Sequence, residues 1–486
     1  MLSWSIAILY LICLLVIFGY AVLQAILAIL YLLKNDRQRP DFDWHEQPFV
    51  TIQLPVFNEK YVVERLIRTV ANINYPSHQF EIQVLDDSTD ETTEIIQKMI
   101  PELNEKGIHI IHLHRTDRKG FKAGALAEGL KKAQGEFIAI FDADFVPDRE
   151  FLYQTLPYFQ QKKVGVVQTR WEHLNREDSL LTQLQAFALD AHFSVEQAGR
   201  NGYQHFINFN GTAGIWRKST IADAGGWQHD TLTEDLDLSY RAQMKGWRFV
   251  YLENVMSPAE LPMAISALKN QQFRWIKGGA ENFVKNGRKL LTTSNLRFSD
   301  RLHGLAHLFN SSVFLFILLM ALLTVPLVFA GVHNSSVAIS LKWMSLFFTS
   351  TLLLMFYYWF SYREKVSANF RFLIFFGRFI QFLTVSLGLS FNNSKGIIQA
   401  YMGKKTAFVR TPKFNTKQKN SWRKNAYLKN TWKWETTVEL ILMIYFLVGM
   451  LISIYFGYYG MVPFQLMLFL GFGAIVWFTL KEQRKN

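Results

Sequence analysis

Long apolar runs bracket a middle of mixed patterning. Residues 4–33, 305–331, 343–360, 370–391, 437–458 and 461–480 are almost wholly hydrophobic, whereas 34–300 reads as an ordinary globular segment. A helix needs roughly 20 apolar residues to cross a bilayer core, and most of these runs reach that length. The first run is too long for the core of a signal peptide and lacks both a basic leading segment and a small-residue cleavage site, so it reads as a retained span. The chain is expected to be integral to a lipid bilayer.

Charge orients the spans. Lys34, Arg37 and Arg39 follow the first run at once, which puts the globular segment in the cytosol and the N-terminus outside. The later connections "GVHNSSVAIS" and "GYYGMVP" carry no lysine or arginine, while "SYREKVSANFR" and the stretch from Lys395 to Lys433 are strongly basic. Counting 370–391 as a span would place that second basic stretch outside. This run also holds Arg371 and Arg378, seven apart and so on one helical face. It therefore reads as an amphipathic helix lying in the cytosolic interface; a sixth span with snorkelling arginines is the open alternative. The expected layout is a first span over 1–33, a cytosolic domain over 34–260, interfacial helices over 261–300 and two spans over 301–361. An interfacial helix with a basic loop follows over 362–435, then two more spans over 436–480 and a cytosolic tail over 481–486, making five spans.

Within the globular segment, short buried runs alternate with helical patterns: "FVTIQLPVFNE", "EKYVVERLIRTVANI", "FEIQVLDDSTDE", "IHIIHLHR", "RKGFKAGALAEGLKKA" and "EFIAIFDADFVP". That alternation predicts an α/β fold, a Rossmann-like, mostly parallel sheet covered by helices. Ligands of such sheets sit beyond the carboxyl ends of the strands. Polar residues gather at those ends: Asp86 and Asp87 after "IQVL", Asp142 and Asp144 after "FIAIF".

Composition narrows the partners. Lysine and arginine outnumber the acids 52 to 39, a net charge of +13. The excess lies beside the apolar runs rather than on a soluble face, which fits a membrane surface and disfavours nucleic acid. The one cysteine, Cys13, sits inside the first run, so neither an intrachain disulfide nor a cysteine metal cluster is possible.

The chemistry-bearing residues follow in order. Asp142 and Asp144, separated by one residue at a strand end, suit a hard divalent cation bound through oxygen with positions left for a diphosphate; a plain strand-end turn is the bland reading. Upstream, Lys122 offers a point charge for phosphate, and Gly120 and Gly124 allow close backbone approach. Asp86 and Asp87 stand before Ser88, Asp90 and Glu91, which open a helix, so capping competes with ligand binding. In "TLTEDLDLSY", Asp235 reads either as a helix cap or as a general base for an attacking hydroxyl.

The ordered set "LDD", "KAGA", "DAD", "TED" and "QQFRW", over about 190 residues, resembles the membrane-integrated family 2 glycosyltransferases, and more closely the cellulose synthase-like branch that includes plant β-mannan and xyloglucan-backbone synthases. The resemblance implies a GT-A-type cytosolic domain on a transmembrane helical bundle. It implies that Asp86, Asp87, Lys122, Asp142 and Arg274 bind the nucleotide-sugar donor, that Asp142 and Asp144 hold Mg2+ or Mn2+, and that Asp235 is the catalytic base. Trp227, Glu234, Gln271 and Trp275 would face a growing glycan acceptor, and the segment "FNGTAGIW", Phe209 to Trp216, resembles the family's acceptor-facing loop. The chemistry of each side chain suits its role: an amide for sugar hydroxyls, a guanidinium for the leaving diphosphate, an indole for a pyranose face. In "TAFVRTPKF", Phe408, Thr411 and Lys413 resemble a gating loop, with Arg410 where the family usually has valine. A basic linker meeting lipid phosphates is the alternative for this segment.

These readings converge on an inverting, processive β-glycosyltransferase that elongates a β-linked hexan and exports it, with any periplasmic or cell-wall partner unassigned. A transferase adding one sugar to a membrane lipid is the rival enzyme, and a non-catalytic membrane subunit the rival class. Donor sugar and linkage are not written in the motifs, because glucose and mannose donors need the same diphosphate contacts.

Overall fold

The computed structural model describes residues 1–34, 40, 47–344, 348–363, 370–413, 415 and 433–483. The basic segments expected at 35–39, 364–369 and 416–432, and the last tail residues, 484–486, lie outside the described residues.

Seven strands form one sheet: β1 (Val50–Val56), β2 (Phe80–Asp86), β3 (Ile110–His114), β4 (Phe137–Ile140), β5 (Val164–His173), β6 (Gly214–Arg217) and β7 (Arg248–Ala259), in the order β3-β2-β1-β4-β6-β5-β7. Neighbours on the β3 side are parallel, as are β5 and β7; β6 alone runs against both its neighbours. The expected mostly parallel sheet is thus present with one reversed strand. That reversal matters for the site: Gly214 at the start of β6 pairs with Ile140 at the end of β4, so the loop before β6 sits beside the DAD turn.

Side chains alternate across the pleat and feed two cores. Phe137 and Ala139 of β4 join Val50, Ile52, Leu54, Ile82 and Val84 on one face. Ile138 and Ile140 join Leu126, Val166 and Trp216 on the other. On that second face Thr51, Gln53, Glu81 and Gln83 are also buried, and Thr51 donates to Glu81 Oε1 at 2.6 Å. The helix Phe121–Lys132 covers this polar ladder with small residues; a methyl on Gly129 would lie 2.6 Å from Gln53 Nε2.

Five helices among the described residues are long and apolar enough to cross a membrane: Leu2–Leu33, Phe298–His333, Arg371–Gly388, Trp434–Tyr455 and Tyr459–Gln483. The number matches the expectation with one exchange. Arg371–Gly388, read from its arginines as interfacial, meets the length and apolarity of a span. The run 343–360 is not among those five; residues 345–347 within it lie outside the described set, and the helices Ser335–Met344 and Thr349–Arg363 flank them. Helix 371–388 packs on the last helix at a close crossing, where a methyl on Gly388 would come within 2.3 Å of the Gly471 carbonyl oxygen. An ion pair and a hydrogen bond tie the Q-x-x-R-W helix, Ile265–Thr292, to the final helices: Lys269 meets the buried Glu439 at 2.7 Å, and Ser266 donates its hydroxyl to Glu482.

Candidate active site

One pocket gathers residues from the carboxyl ends of β1, β2, β4 and β5, the loop before β6, the start of helix Glu234–Met244, helix 265–292 and the loop 404–413. Ligand-binding residues cluster there because parallel strands end together and their connecting turns need no further ladder bonds.

Asp142 and Asp144 follow β4. Asp142 accepts from Lys122 Nζ at 2.5 Å, and its backbone N–H donates to Thr212 Oγ1 at 2.8 Å. Asp144 is buried, and its Oδ2 accepts from the Glu260 backbone N–H at 3.0 Å and from Lys413 Nζ at 2.7 Å. Two carboxylates offering only oxygen at a pocket wall fit a hard divalent cation, and the chain's own ammonium groups balance their charge. Lys122 also donates to the Gly211 carbonyl at 2.8 Å. Burial would lower the Lys122 ammonium, but Asp142 and Glu234 outweigh it and raise it.

Glu234 and Asp235 occupy the first turn of helix 234–244, whose N-cap is Thr233, so Asp235 is not the cap. Asp235 Oδ1 accepts from the Leu236 N–H at 2.8 Å. Gly211, with φ of +80°, abuts the other oxygen: a methyl there would lie 2.9 Å from Asp235 Oδ2. Only glycine suits both that backbone and that approach. Burial, with Glu234 alongside, pushes the Asp235 carboxyl up to about 7. Burial raises Glu234 as well, against the pull of Lys122.

Gln271, Arg274 and Trp275 lie at i, i+3 and i+4 of helix 265–292 and line the pocket together. Loop 404–413 lies across them. Phe408 stacks on Phe121 with centroids 5.9 Å apart, and the Arg274 guanidinium sits 4.4 Å from the Phe408 centroid. Arg274 Nη2 donates to Thr411 Oγ1 at 3.1 Å. Arg410 donates to Glu59 Oε2 at 2.7 Å and to the Asn58 carbonyl. Burial pushes Glu59 up to about 8, with Arg410 and Lys413 pulling against it. At the loop's start, fully buried Lys277 donates to the Lys404 carbonyl at 2.5 Å and to Thr406.

Two residues picked from sequence are not brought to this pocket. Asp86 is fully buried and gripped by Ser88 N–H at 2.8 Å, Thr93 Oγ1 at 2.8 Å, His112 Nε2 at 2.9 Å and His114 Nδ1 at 3.2 Å. Burial would raise its carboxyl, and these hydrogen bonds outweigh that and hold it well below the usual carboxylate range. Asp87 does line the pocket, with both oxygens taken by Arg115 at 2.7 and 2.6 Å. Trp227 is buried edge-on against Trp216, centroids 5.8 Å apart, in the core beneath β6. Conversely, Glu59, Arg118, Trp171 and His173 line the pocket without having been singled out, and Asn210, within "FNGTAGIW", lines it too. Glu59 was legible in principle, since "FNE" follows β1 beside the ends of β2 and β4. His173 gave no signal, because its strand is long and its place depends on tertiary contacts.

The family described as Glycosyltransferase like family 2 matches residues 47–278. Glucomannan 4-beta-mannosyltransferase 1 of Cyamopsis tetragonoloba is 43% identical over 261 residues, 53% of this chain and 50% of that protein. Glucomannan 4-beta-mannosyltransferase 9 of Arabidopsis thaliana is 42% identical over 261 residues, 53% of this chain and 49% of its own. The chain therefore spans about half the length of the curated relatives it matches. Among solved structures, the mannosyltransferase PcManGT from Pyrobaculum calidifontis, in complex with GDP-Man and Mn2+, is similar with a TM-score of 0.54 and 19% identity, over 74% of this chain and 98% of that one, a likeness of fold. From β1 through Gln271, Arg274 and Trp275, residues 47–278 are thus a GT-A-type domain belonging to the family 2 glycosyltransferases.

Proposed function

We propose that the chain is an inverting, processive β-hexosyltransferase that takes sugar from a nucleotide-sugar of the UDP-glucose or GDP-mannose type, elongates a β-linked hexan and passes it across the membrane. The observation that carries this reading is a carboxylate raised to about 7, Asp235, lining the same pocket as Asp142, Asp144, Arg274 and Trp275. A base poised near neutral pH is what abstraction of a sugar hydroxyl proton requires. The curated relatives' names favour mannose as the transferred sugar and a 4-linked β-product.

In this mechanism the acceptor hydroxyl gives its proton to Asp235 and attacks the anomeric carbon as the nucleoside diphosphate leaves from the opposite face, inverting an α-donor to a β-link. Mg2+ or Mn2+ at Asp142 and Asp144 would offset the charge of the diphosphate. Lys122 and Arg274 add positive charge on the same side, while Trp275 and Gln271 hold the acceptor ring. Asp87, fixed by Arg115, faces the nucleoside end. Loop 404–413 closes the pocket and excludes water from the donor. The domain faces the cytosol and the N-terminus lies outside, in line with Lys34 at the end of the first helix and the lysine-free connection 457–463 between the last two.

Membranes holding the protein, supplied with labelled GDP-mannose or UDP-glucose and Mg2+ or Mn2+, should yield a β-linked polymer, identified by linkage analysis. A product limited to one sugar on a lipid would remove processive synthesis, and no transfer from either donor would remove the reading altogether.

A further inference from the structure

Behind the pocket, a chain of side-chain hydrogen bonds ends on a residue beside Asp235. Asn210 precedes Gly211, the glycine that abuts Asp235, and lines the pocket. Its amide is gripped from the rear by a five-residue π-turn, His192–Glu196, and by Gln197 after it. Such π-turns inside helices are uncommon and recur at functional sites.

The bond directions can be worked out from a backbone carbonyl. Gln197 Nε2 lies 3.1 Å from the Asn208 carbonyl, an acceptor, so this atom is the amide nitrogen. The same nitrogen lies 2.7 Å from Asn210, which must present its oxygen. Asn210 Nδ2 therefore faces His192 Nε2, at 3.1 Å, and His192 must accept there through a bare ring nitrogen. Its proton sits on Nδ1, which donates to Glu196 Oε2 at 2.9 Å. Burial would raise Glu196, but Arg200, at 2.8 Å, with His192 and His307, outweighs it and keeps the carboxyl ionised. Glu196 thus fixes the tautomer of His192, which fixes the orientation of Asn210. One N–H of the Asn210 amide is engaged by His192; no described residue takes the other.

We propose that Asn210 donates this second N–H to a hydroxyl of the acceptor sugar beside Asp235, and that His192, oriented by Glu196, is the positioning residue that keeps the donor side of the amide turned to the pocket. This inference rests on the glycosyltransfer reading above and adds residues which that reading does not use.

Replacing His192 by glutamine or asparagine tests it. Gln places an oxygen near the old Nε2 and can still accept from Asn210, whereas Asn reaches only as far as the old Nδ1. With a soluble β-linked hexose oligosaccharide as acceptor and the donor that the unaltered protein uses, His192→Asn should raise the acceptor KM about tenfold, the effect of one lost hydrogen bond. Nucleoside diphosphate binding by calorimetry should stay within twofold, and His192→Gln should recover most of the acceptor KM. Asn210→Ala, which leaves the π-turn intact, should show the same rise. An unchanged acceptor KM in His192→Asn and Asn210→Ala, or an equal loss of nucleotide binding in all three variants, would overturn the proposal. Absence of transfer by the unaltered protein would instead remove the glycosyltransfer reading, and this inference with it.

Discussion

Lys413 Nζ lies 2.7 Å from Asp144 Oδ2, so a cation carried by the loop stands on one of the two carboxylates at the end of β4. Lys122 stands likewise on Asp142. An incoming divalent cation must share Asp144 with Lys413 or displace it, and Lys413 would then add its positive charge beside the phosphates. Lys413→Ala should therefore tighten Mn2+ binding to the nucleotide-free protein several-fold while slowing sugar transfer. Electron paramagnetic resonance of free Mn2+ during titration measures the first effect, and an unchanged affinity would show that Lys413 does not compete.

Asp235→Asn keeps the shape of the side chain and removes its basicity. Transfer should fall by about 100- to 10,000-fold, the usual contribution of a general base. Nucleotide binding should persist, because Asp142, Lys122 and Arg274 are untouched. Near-normal turnover would exclude Asp235 as the base.

The raised carboxyl of Asp235 also predicts a pH dependence. The base works only when ionised, so kcat/KM should rise with pH up to about 7 and level above it. The midpoint belongs to the Glu234–Asp235 pair, since each ionisation hinders the other. For stability the sign is opposite: the folded chain binds this proton more tightly than the unfolded chain, whose carboxyl has the ordinary value of 3.8. The group's contribution is complete below that value and is lost as pH rises toward about 7. Thermal unfolding of the nucleotide-free protein should show this decline, and the Asn variant should lack that component.

Arg410 stands where the resembling gating loops have valine, and it reaches Glu59 at 2.7 Å. Arg410→Val removes the donor to the Glu59 carboxyl and to the Asn58 carbonyl, so the Glu59 carboxyl should rise further and the loop should hold less firmly. Proteolysis within 404–413 should quicken, and a double-mutant cycle with Glu59→Gln should give a coupling of about 1–3 kcal/mol. Strictly additive effects would mean that the pair does not latch the loop.

The individual residues show how far the sequence could be read. Asp142, Asp144, Lys122, Asp235 and the Q-x-x-R-W face were legible because each follows a strand or opens a helix, and such ends converge by topology alone. Asp86 misled because adjacent residues at a strand end point to opposite sides. One of the two had to turn inward, and His112 and His114 on the neighbouring strand determined which. Trp227 misled because an indole suits a sugar face and a protein core equally well. Helix 371–388 departed from its interfacial reading because it stays continuous and apolar over 18 residues despite its two arginines.

What the sequence determined by itself was a strand–helix alternation, a set of carboxylates at strand ends and apolar runs of membrane length, because periodicity and local chemistry are properties of neighbouring residues. What only the tertiary structure decided was the reversal of β6, which brings Gly211 against Asp235, and the folding of loop 404–413 across a pocket built some 140 to 350 residues earlier, from Asn58 to Arg274. Those juxtapositions depend on pairings between residues far apart in the chain, whose closure is favourable only once the whole sheet and its helices are packed.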